Sequence, residues 1–511
     1  MNQKEWLPHI APEIAIENRF HICAYLVALE GWRRGLTLTW YSQKVKKNRV
    51  HAPGRYFSLS SDEQTHYFYK SKGDLTSPKA QGITGKKHIT KEWLSKAGVS
   101  IPQGNAFTGQ HADEDIVAYA NELTYPVVLK PTNGFQGIGV FANLKNEEEF
   151  RGALKHLREE MGFKDVIVEQ FIDGKEYRIF VIGGEVIGAI EKIPPMVIGD
   201  GQRTVRQLIR DKNKDKKKNP HLVRKPIKID YEVESIVKAA GYTLDSVLEE
   251  GKNLQVRDKN SLSSGGDPVD ATDLLSKQAK ENSVKALEAI PDLSLGGLDV
   301  MIDRHTQEAY VIEINAIPMI GSHLFPEIGI ARDVPSAIID HYFPETKDKR
   351  EQNRNMYFNL TDALKPLQDK ISSEVTIQPA PVLEKAYATK YIVEGKVQKV
   401  GYRKWIRRRA IECDLCGYTK NLTNGTVEVV VTGEEKDVKA FIDVCKQGPK
   451  RAEVTNVSET PWDGPFRIGF TIEETPTKKK KAKAAPKKPT QPKPTPTFLG
   501  KVKRAIKRKL K

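Results

Sequence analysis

The sequence predicts an α+β protein built of several domains, and three observations lead there. The chain has 511 residues, which at roughly 100–200 residues per domain is about three to five domains. Between Tyr125 and Pro344, strand-like apolar runs alternate with helical stretches. From Tyr387 to Glu474, a compact unit reads strand, helix, strand–turn–strand, helix, strand, a βαββαβ order.

Composition limits the classes. Hydrophobic residues are 39% and charged residues 29% of the chain, enough apolar matter for packed cores along most of it. The net charge is +16, but the segment from Lys478 to Lys511 holds 15 Lys and Arg with no acid. The basic signal therefore belongs to a tail, and the body is nearly neutral. No apolar run reaches the ~18–20 residues that span a bilayer. No basic leader with a small-residue cleavage site precedes His21–Leu29. Four cysteines in this length make no disulfide framework, and Cys413-Asp-Leu-Cys416 has no second pair to complete a zinc set. A cytoplasmic setting follows, with contact at the inner membrane face left open by the tail.

The elements then fall in order. Residues 1–85 are mixed and read as an α/β region. Thr90–Leu94 has helical spacing, with Ala97-Gly98 as its stop. Residues 86–345 hold strands at Val127–Leu129, Val166–Val168, Ile179–Ile182, Val186–Ile187 and Tyr310–Ile312. Within them, Arg210–Lys228 is strongly basic and reads as an exposed excursion. Residues 346–384 are polar and read as a linker with a helix, and 385–475 form the βαββαβ unit. Residues 476–497 are Lys/Pro-rich and predict a solvated, disordered spacer. Residues 498–511 place Phe498, Val502, Ile506 and Leu510 four apart, which predicts a basic amphipathic helix. An anionic membrane surface or a polyanion is the expected partner of 478–511. Base-stacking aromatics are absent there except Phe498, so no specific nucleic acid is predicted.

Three stretches of the central block carry chemistry. A strand ends in Lys130, and a loop with Gly134, Gly137 and Gly139 follows. Glycines let backbone amides approach oxyanions, although three glycines between strands also make a plain hairpin. Next, a buried strand runs into Glu169, with a turn at Asp173-Gly174 and then Glu176. Glu176 suits ribose hydroxyls; solvated acids on a strand–turn–strand are the plainer alternative. Third, Leu298–Ile302 and Val311–Asn315 read as strands with polar insertions. Glu313 and Asn315 are two apart and share a strand face, and Asp299 sits on the neighbouring strand. Oxygen ligands so placed are what Mg²⁺ requires, with ATP phosphates completing its shell.

Together with Gly85-Lys-Lys-His-Ile-Thr-Lys91, these stretches resemble the ATP-grasp superfamily, in the branch of amide-forming ligases related to cyanophycin synthetase and bifunctional glutathione synthetase. Val197-Ile-Gly-Asp-Gly-Gln-Arg-Thr-Val205 and Asn260-Ser-Leu-Ser-Ser-Gly-Gly-Asp267 are similar to two further motifs of that branch. The resemblance implies an ATP-grasp fold over 86–345. It implies that Lys87 and Lys130 hold ATP phosphates, Glu169 faces adenine and Glu176 ribose. It further implies that Asp299, Glu313 and Asn315 ligate Mg²⁺ or Mn²⁺, with Arg257 a weaker candidate for charge stabilisation. The implied reaction is Mg-ATP-dependent carboxylate–amine ligation through an acyl phosphate, with both co-substrates unidentified. The segment Ala316-Ile-Pro-Met-Ile320 departs from the Gly-rich continuation usual in the family.

In the βαββαβ unit, Glu394–Arg403 links the strand Tyr391–Val393 to a helix starting near Tyr402. A loop feeding a helix N-terminus offers free amides to an anion, and Arg403 adds a charged fork. Asn421 ends the next strand beside that loop, where its amide suits orienting a water. An interaction module with a surface Arg403 is an equal reading of this local pattern. The ensemble Gly395-Lys-Val-Gln-Lys-Val-Gly-Tyr-Arg403 with Gly417-Tyr-Thr-Lys-Asn-Leu-Thr-Asn-Gly-Thr-Val-Glu428 resembles the acylphosphatase family. That resemblance implies a ferredoxin-like βαββαβ fold and hydrolysis of small-molecule acyl phosphates to carboxylate and phosphate. It also implies that Arg403 binds the phosphoryl group and Asn421 positions water. Lys399 stands where the family has glycine. The alternative from another class is a non-catalytic ATP sensor with a degenerate phosphate-binding module and a membrane or polyanion tether.

Overall fold

A computed structural model describes residues 4–42, 44–45, 50–51, 53–133, 138–257, 262–381 and 387–473. The predicted tail elements at 476–511 lie outside the described residues. The body is α+β, with five separate apolar cores among the described residues.

The N-terminal core is built around a helix, Ile22–Arg33, whose every residue is buried. Such a helix is hydrophobic all round because it is covered on all sides. On one side lies an antiparallel sheet in the order Glu374–Ile377, Thr37–Tyr41, Tyr56–Ser60, Thr65–Tyr69, Lys72–Gly73. Trp32, Trp40, Phe57, Tyr342, Tyr357 and Phe358 fill this core. Its edge strand therefore comes from far along the chain. Met356, Tyr357 and Phe358 are buried, and the helix Leu360–Gln368 buries Leu360, Leu364 and Leu367, spaced by four and three. Residues 356–380 thus carry packed elements inside a stretch whose sequence reads as linker and helix.

Two antiparallel sheets make the central block. The first runs Phe141–Leu144, Val127–Pro131, Val166–Gln170, Gly104–Phe107 and packs on the helices Asp113–Glu122 and Glu147–Lys155. The second runs Asp267–Asp270, Glu185–Ile193, Gly174–Ile182, Leu295–Asp303, Ala309–Asn315. Along Gly174–Ile182, Tyr177, Ile179 and Val181 enter one core, while Phe180 and Ile182 enter the N-terminal core. Glu176 and Arg178 alternate onto the same face as Phe180. Between the strands Glu185–Ile193 and Asp267–Asp270 of this second sheet, residues 196–256 form an excursion with a core of its own. Its helix Val205–Lys216 begins at a capping box of Thr204 and Gln207. The expectation of an exposed basic segment at Arg210–Lys228 needs correcting here, because Lys216, Asn219, His221, Leu222 and Ile227 are buried. Their partners come from distant strands and loops, which the local run of lysines does not reveal.

In the C-terminal unit, the sheet order is Glu453–Pro461, Tyr387–Lys396, Val427–Gly433, Cys416–Asn421, Phe470–Ile472. The helices Tyr402–Glu412 and Glu435–Gln447 supply the βαββαβ order. A fifth strand, Phe470–Ile472, lies parallel to Cys416–Asn421. The unit touches the N-terminal core through a parallel pairing of Met356–Tyr357 with Phe466–Arg467. Phe466 enters that core, and Arg467 pairs with Glu17. The four cysteines are free thiols. No helix among the described residues is long and apolar enough to cross a membrane.

Candidate active sites

The central site sits on the second sheet. Asp299 lies opposite Glu313, and Gly297 opposite Asn315, in the antiparallel register of Leu295–Asp303 with Ala309–Asn315. The Glu313 carboxylate lies 3.5 Å from the Lys87 ammonium. Lys87 opens the helix Lys87–Lys96. Lys87, Glu313 and Asn315, together with Thr132 and Asn133, line a cavity of about 350 Å³. Four of the candidate groups are thus brought close together: Lys87, Glu313 and Asn315 in the cavity, and Asp299 one strand away.

Asp299 is deeply held. Its Oδ1 is 2.9 Å from Arg178 Nε and 2.7 Å from Lys192 Nζ. Burial opposes its ionisation, but the Arg178 and Lys192 charges outweigh burial and keep the carboxyl below the usual carboxylate range. Lys192 also reaches Glu176 Oε1 at 2.5 Å. Ion pairs therefore link Glu176 to Lys192, and both Lys192 and Arg178 to Asp299, across three neighbouring strands of the sheet. The donor chemistry of Asp299, Glu313 and Asn315 is all oxygen on adjacent strands, which fits a hard divalent cation. The Glu313 side chain is 41% exposed, against 15% for Asp299.

Glu169 and Lys130 form a second group. Glu169 is buried between Lys130, at 2.5 Å, and Lys91, at 2.7 Å. Burial works against the charged form of Glu169, yet the two ammonium groups prevail and lower its pKa. Burial likewise pushes the Lys91 pKa down, against the Glu169 charge. Gly137 lies outside the described residues. Arg257 stands apart from both groups, bound to Asp230 Oδ2 at 2.5 Å and to Glu232 within the excursion.

Three cations escaped the sequence reading: Lys91, Arg178 and Lys192. Two carried a signal. Lys91 follows Lys87 by four on one helix, and Arg178 follows Glu176 by two on one strand, so each shares its predecessor's face. Lys192 is set by strand pairing alone.

The C-terminal site is assembled by a loop, a helix and two strand ends. Gly401 caps the helix Tyr402–Glu412 with φ +86°, a conformation glycine adopts without strain. Gln398 Nε2 donates to the carbonyls of Leu422 and Thr426, each at 2.8 Å, and ties the loop to the neighbouring hairpin. Arg403, in the first helical turn, donates from Nη1 to the Glu473 carbonyl at 3.0 Å. Glu473 N–H in turn donates to the Thr419 carbonyl at 2.9 Å, on the strand that ends in Asn421. Asn421 is 9% exposed, and its Oδ1 finds no hydrogen-bond partner among the described residues. A buried amide oxygen without a donor is costly in a finished fold and is an acceptor open to water. Lys399 takes φ +61°, and its side chain is exposed.

Comparisons with known proteins fit both halves. Residues 84–196 match the model of the RimK-like ATP-grasp domain, and residues 389–472 match that of acylphosphatase. A cyanophycin synthetase of Nostoc sp. is 31% identical over 271 residues, covering 52% of this chain and 30% of that one. The glutathione biosynthesis bifunctional protein GshAB of Clostridium perfringens is 31% identical over 322 residues, covering 60% of this chain and 40% of its own length. The chain thus spans about a third of the length of such curated relatives. Among solved structures, a bifunctional glutathione synthetase from Pasteurella multocida is 28% identical with a TM-score of 0.46, covering 57% of this chain and 40% of that one. An acylphosphatase from Bacillus subtilis is 30% identical, covering 17% of this chain and 99% of that one, with a TM-score of 0.17. The chain thus carries, in one polypeptide, a stretch that matches the RimK-like ATP-grasp domain and a stretch that matches acylphosphatase.

Proposed function

We propose that this chain works on acyl phosphates at two places, making them in the ATP-grasp half and hydrolysing them in the acylphosphatase half. In the first half a substrate carboxylate attacks the γ-phosphorus of ATP. The bond to the β–γ bridging oxygen breaks and ADP leaves. An amine then attacks the carbonyl of the acyl phosphate, loses a proton and expels phosphate, leaving an amide. In this reading Lys87 and Lys130 counter the phosphate charge, Glu169 serves the adenine and Glu176 the ribose. Asp299, Glu313 and Asn315 would hold Mg²⁺, which supplies charge neutralisation at the phosphates when bound.

In the second half, the loop amides from Gly395 to Arg403 and the Arg403 guanidinium take the phosphoryl oxygens. Asn421 Oδ1 accepts a hydrogen bond from a water and aims it at phosphorus. The bond between phosphorus and the carboxylate oxygen breaks, and the water proton passes to the phosphate formed. The observation that carries this half is the unpartnered Oδ1 of Asn421, on a strand bonded through Glu473 to Arg403. The test is release of phosphate from benzoyl phosphate, compared with Arg403→Ala. For the first half, ADP formation is followed across pairs of amino acids, compared with Glu313→Gln.

The shared intermediate suggests that the hydrolase clears acyl phosphate leaked by the ligase. Deleting residues 385–475 would then lower the ATP consumed per amide formed. An unchanged ratio refutes the coupling and leaves two independent activities.

A further inference from the structure

The loop Ala316–Ile320 leaves the strand that ends in Asn315, and it passes between two sets of cations. On one side Pro318 closes on Gly297: a Cβ at Gly297 would stand 2.8 Å from Pro318 Cβ and 3.2 Å from Arg178 Nη1. Ser71 Oγ fixes the same turn by donating to the Pro318 carbonyl at 2.5 Å. On the other side a Cβ at Gly321 would stand 2.7 Å from His221 Nδ1. The loop is therefore clamped with Arg178 at one flank and His221 at the other.

Beyond His221 lies Lys225, its Nζ 2.7 Å from His221 Nε2. Among the described residues no carboxylate pairs with Lys225. Its neighbours behave differently, because Lys212 and Lys216 are both held by Asp267. The charged surroundings of Lys225 are Lys216 and Arg178, with the Cys23 thiol beside them. Burial raises the pKa of that thiol, so it stays neutral and offers no counter-charge. Burial, with Lys216 and Arg178 adding to it, lowers the Lys225 pKa to about 8. His221 accepts one of the three ammonium hydrogens, which leaves two donors and the charge uncompensated. His323 completes the cluster. It is 1% exposed, neither ring nitrogen has a hydrogen-bond partner among the described residues, and it lies in electrostatic range of Arg178, His221 and the Asp270 carboxylate, which Arg332 holds.

A half-buried ammonium without an anion costs free energy, and so does a buried imidazole with nothing to bond. Both groups flank His221, which packs against Gly321 at the end of the loop that issues from the proposed metal-binding strand. We propose that the carboxylate co-substrate of the ligase half is a dicarboxylate, and that Lys225, His221 and His323 bind the carboxylate that does not react. This rests on the ligase reading above and names the substrate class of that site. Arg178 lies between the two ends, next to Asp299 on one side and in range of Lys225 on the other.

The test measures binding without turnover, on the full chain. Succinate, glutarate and adipate are each titrated calorimetrically against the monoamide of the same acid, with and without MgADP. The expected result is that at least one dicarboxylate binds about tenfold or more tightly than its monoamide, the scale of one charge-assisted hydrogen bond. Lys225→Met erases that gap, Lys225→Arg keeps it, and so does Lys217→Met on the exposed side of the excursion. Equal binding of every acid and its monoamide overturns the proposal, as does a gap that survives in Lys225→Met. MgADP affinity is read in the same titrations. Its absence in the wild type would sink the ligase reading, while the dicarboxylate gap, measured without nucleotide, would still be decided.

Discussion

Among the described residues Arg403 is bonded to the Glu473 backbone and not to a side chain: its Nη1 donates to the Glu473 carbonyl at 3.0 Å. A neutral carbonyl orients a guanidinium without cancelling its charge. Arg403 stays available to an anion, and its aim depends on where the last described strand ends. Arg403→Ala should therefore cut benzoyl phosphate hydrolysis by about 100-fold or more, the usual loss for one preorganised oxyanion donor. The thermal midpoint should move little, since Arg403 is only partly buried. Initial rates and a melting curve check both parts.

Asn421 has the complementary role. Asn421→Ala removes the acceptor for the attacking water but leaves the anion cradle intact. The kcat for acyl phosphate should fall about 100-fold, with KM within a factor of two. A KM that rises in step with the fall in kcat would place Asn421 in substrate binding instead.

Lys399 holds φ +61°. A left-handed conformation costs an ordinary residue about 1–2 kcal/mol, and glycine gives back part of that as unfolded-state entropy. Lys399→Gly should stabilise the C-terminal unit by about 0.5–1 kcal/mol, read from urea unfolding. If the Lys399 ammonium also helps to hold phosphate, KM for acyl phosphate will rise in the same variant.

The Glu169 pair gives a pH signature. Burial raises the Glu169 pKa, but Lys130 and Lys91 lower it further, so the folded value lies below the unfolded one. Between those two values the unfolded chain binds more protons. Stability is therefore present above the ordinary glutamate value and is lost as pH falls through the depressed folded one. Lys91→Met leaves Lys130 alone with Glu169. The variant should lose about 1.5–3 kcal/mol at pH 7, the scale of one hydrogen bond to a charged group, and should show a shallower decline between pH 5 and 3. Urea midpoints across that range measure it.

The candidate residues that could be read from the sequence rest on local patterns. Glu313 and Asn315 share a strand face by simple alternation, and Asp299 needed only the guess that its strand lay next door. Arg403 and Asn421 were marked by a loop entering a helix and by a strand end. Lys192, Lys225 and His323 were not legible. Each acquires its meaning from a partner more than a hundred residues away or from a lack of partners, and burial of a lysine has no local signature. The stretch 346–384 was obscured in the same way: its polar opening hid Met356–Phe358 and the strand Glu374–Ile377, which pairs with Thr37–Tyr41.

The pairing of Met356–Tyr357 with Phe466–Arg467 bears on how far the hydrolase can be treated as a portable module. The hook from Trp462 to Ile468 sits between the strands Glu453–Pro461 and Phe470–Ile472, yet it buries Phe466 in the N-terminal core and sets Arg467 on Glu17. Cutting the unit free would bare an aromatic ring and strand backbone a few residues from the Glu473 carbonyl that steers Arg403. A transplant that keeps the sheet but discards the docking surface would inherit a loosened guanidinium.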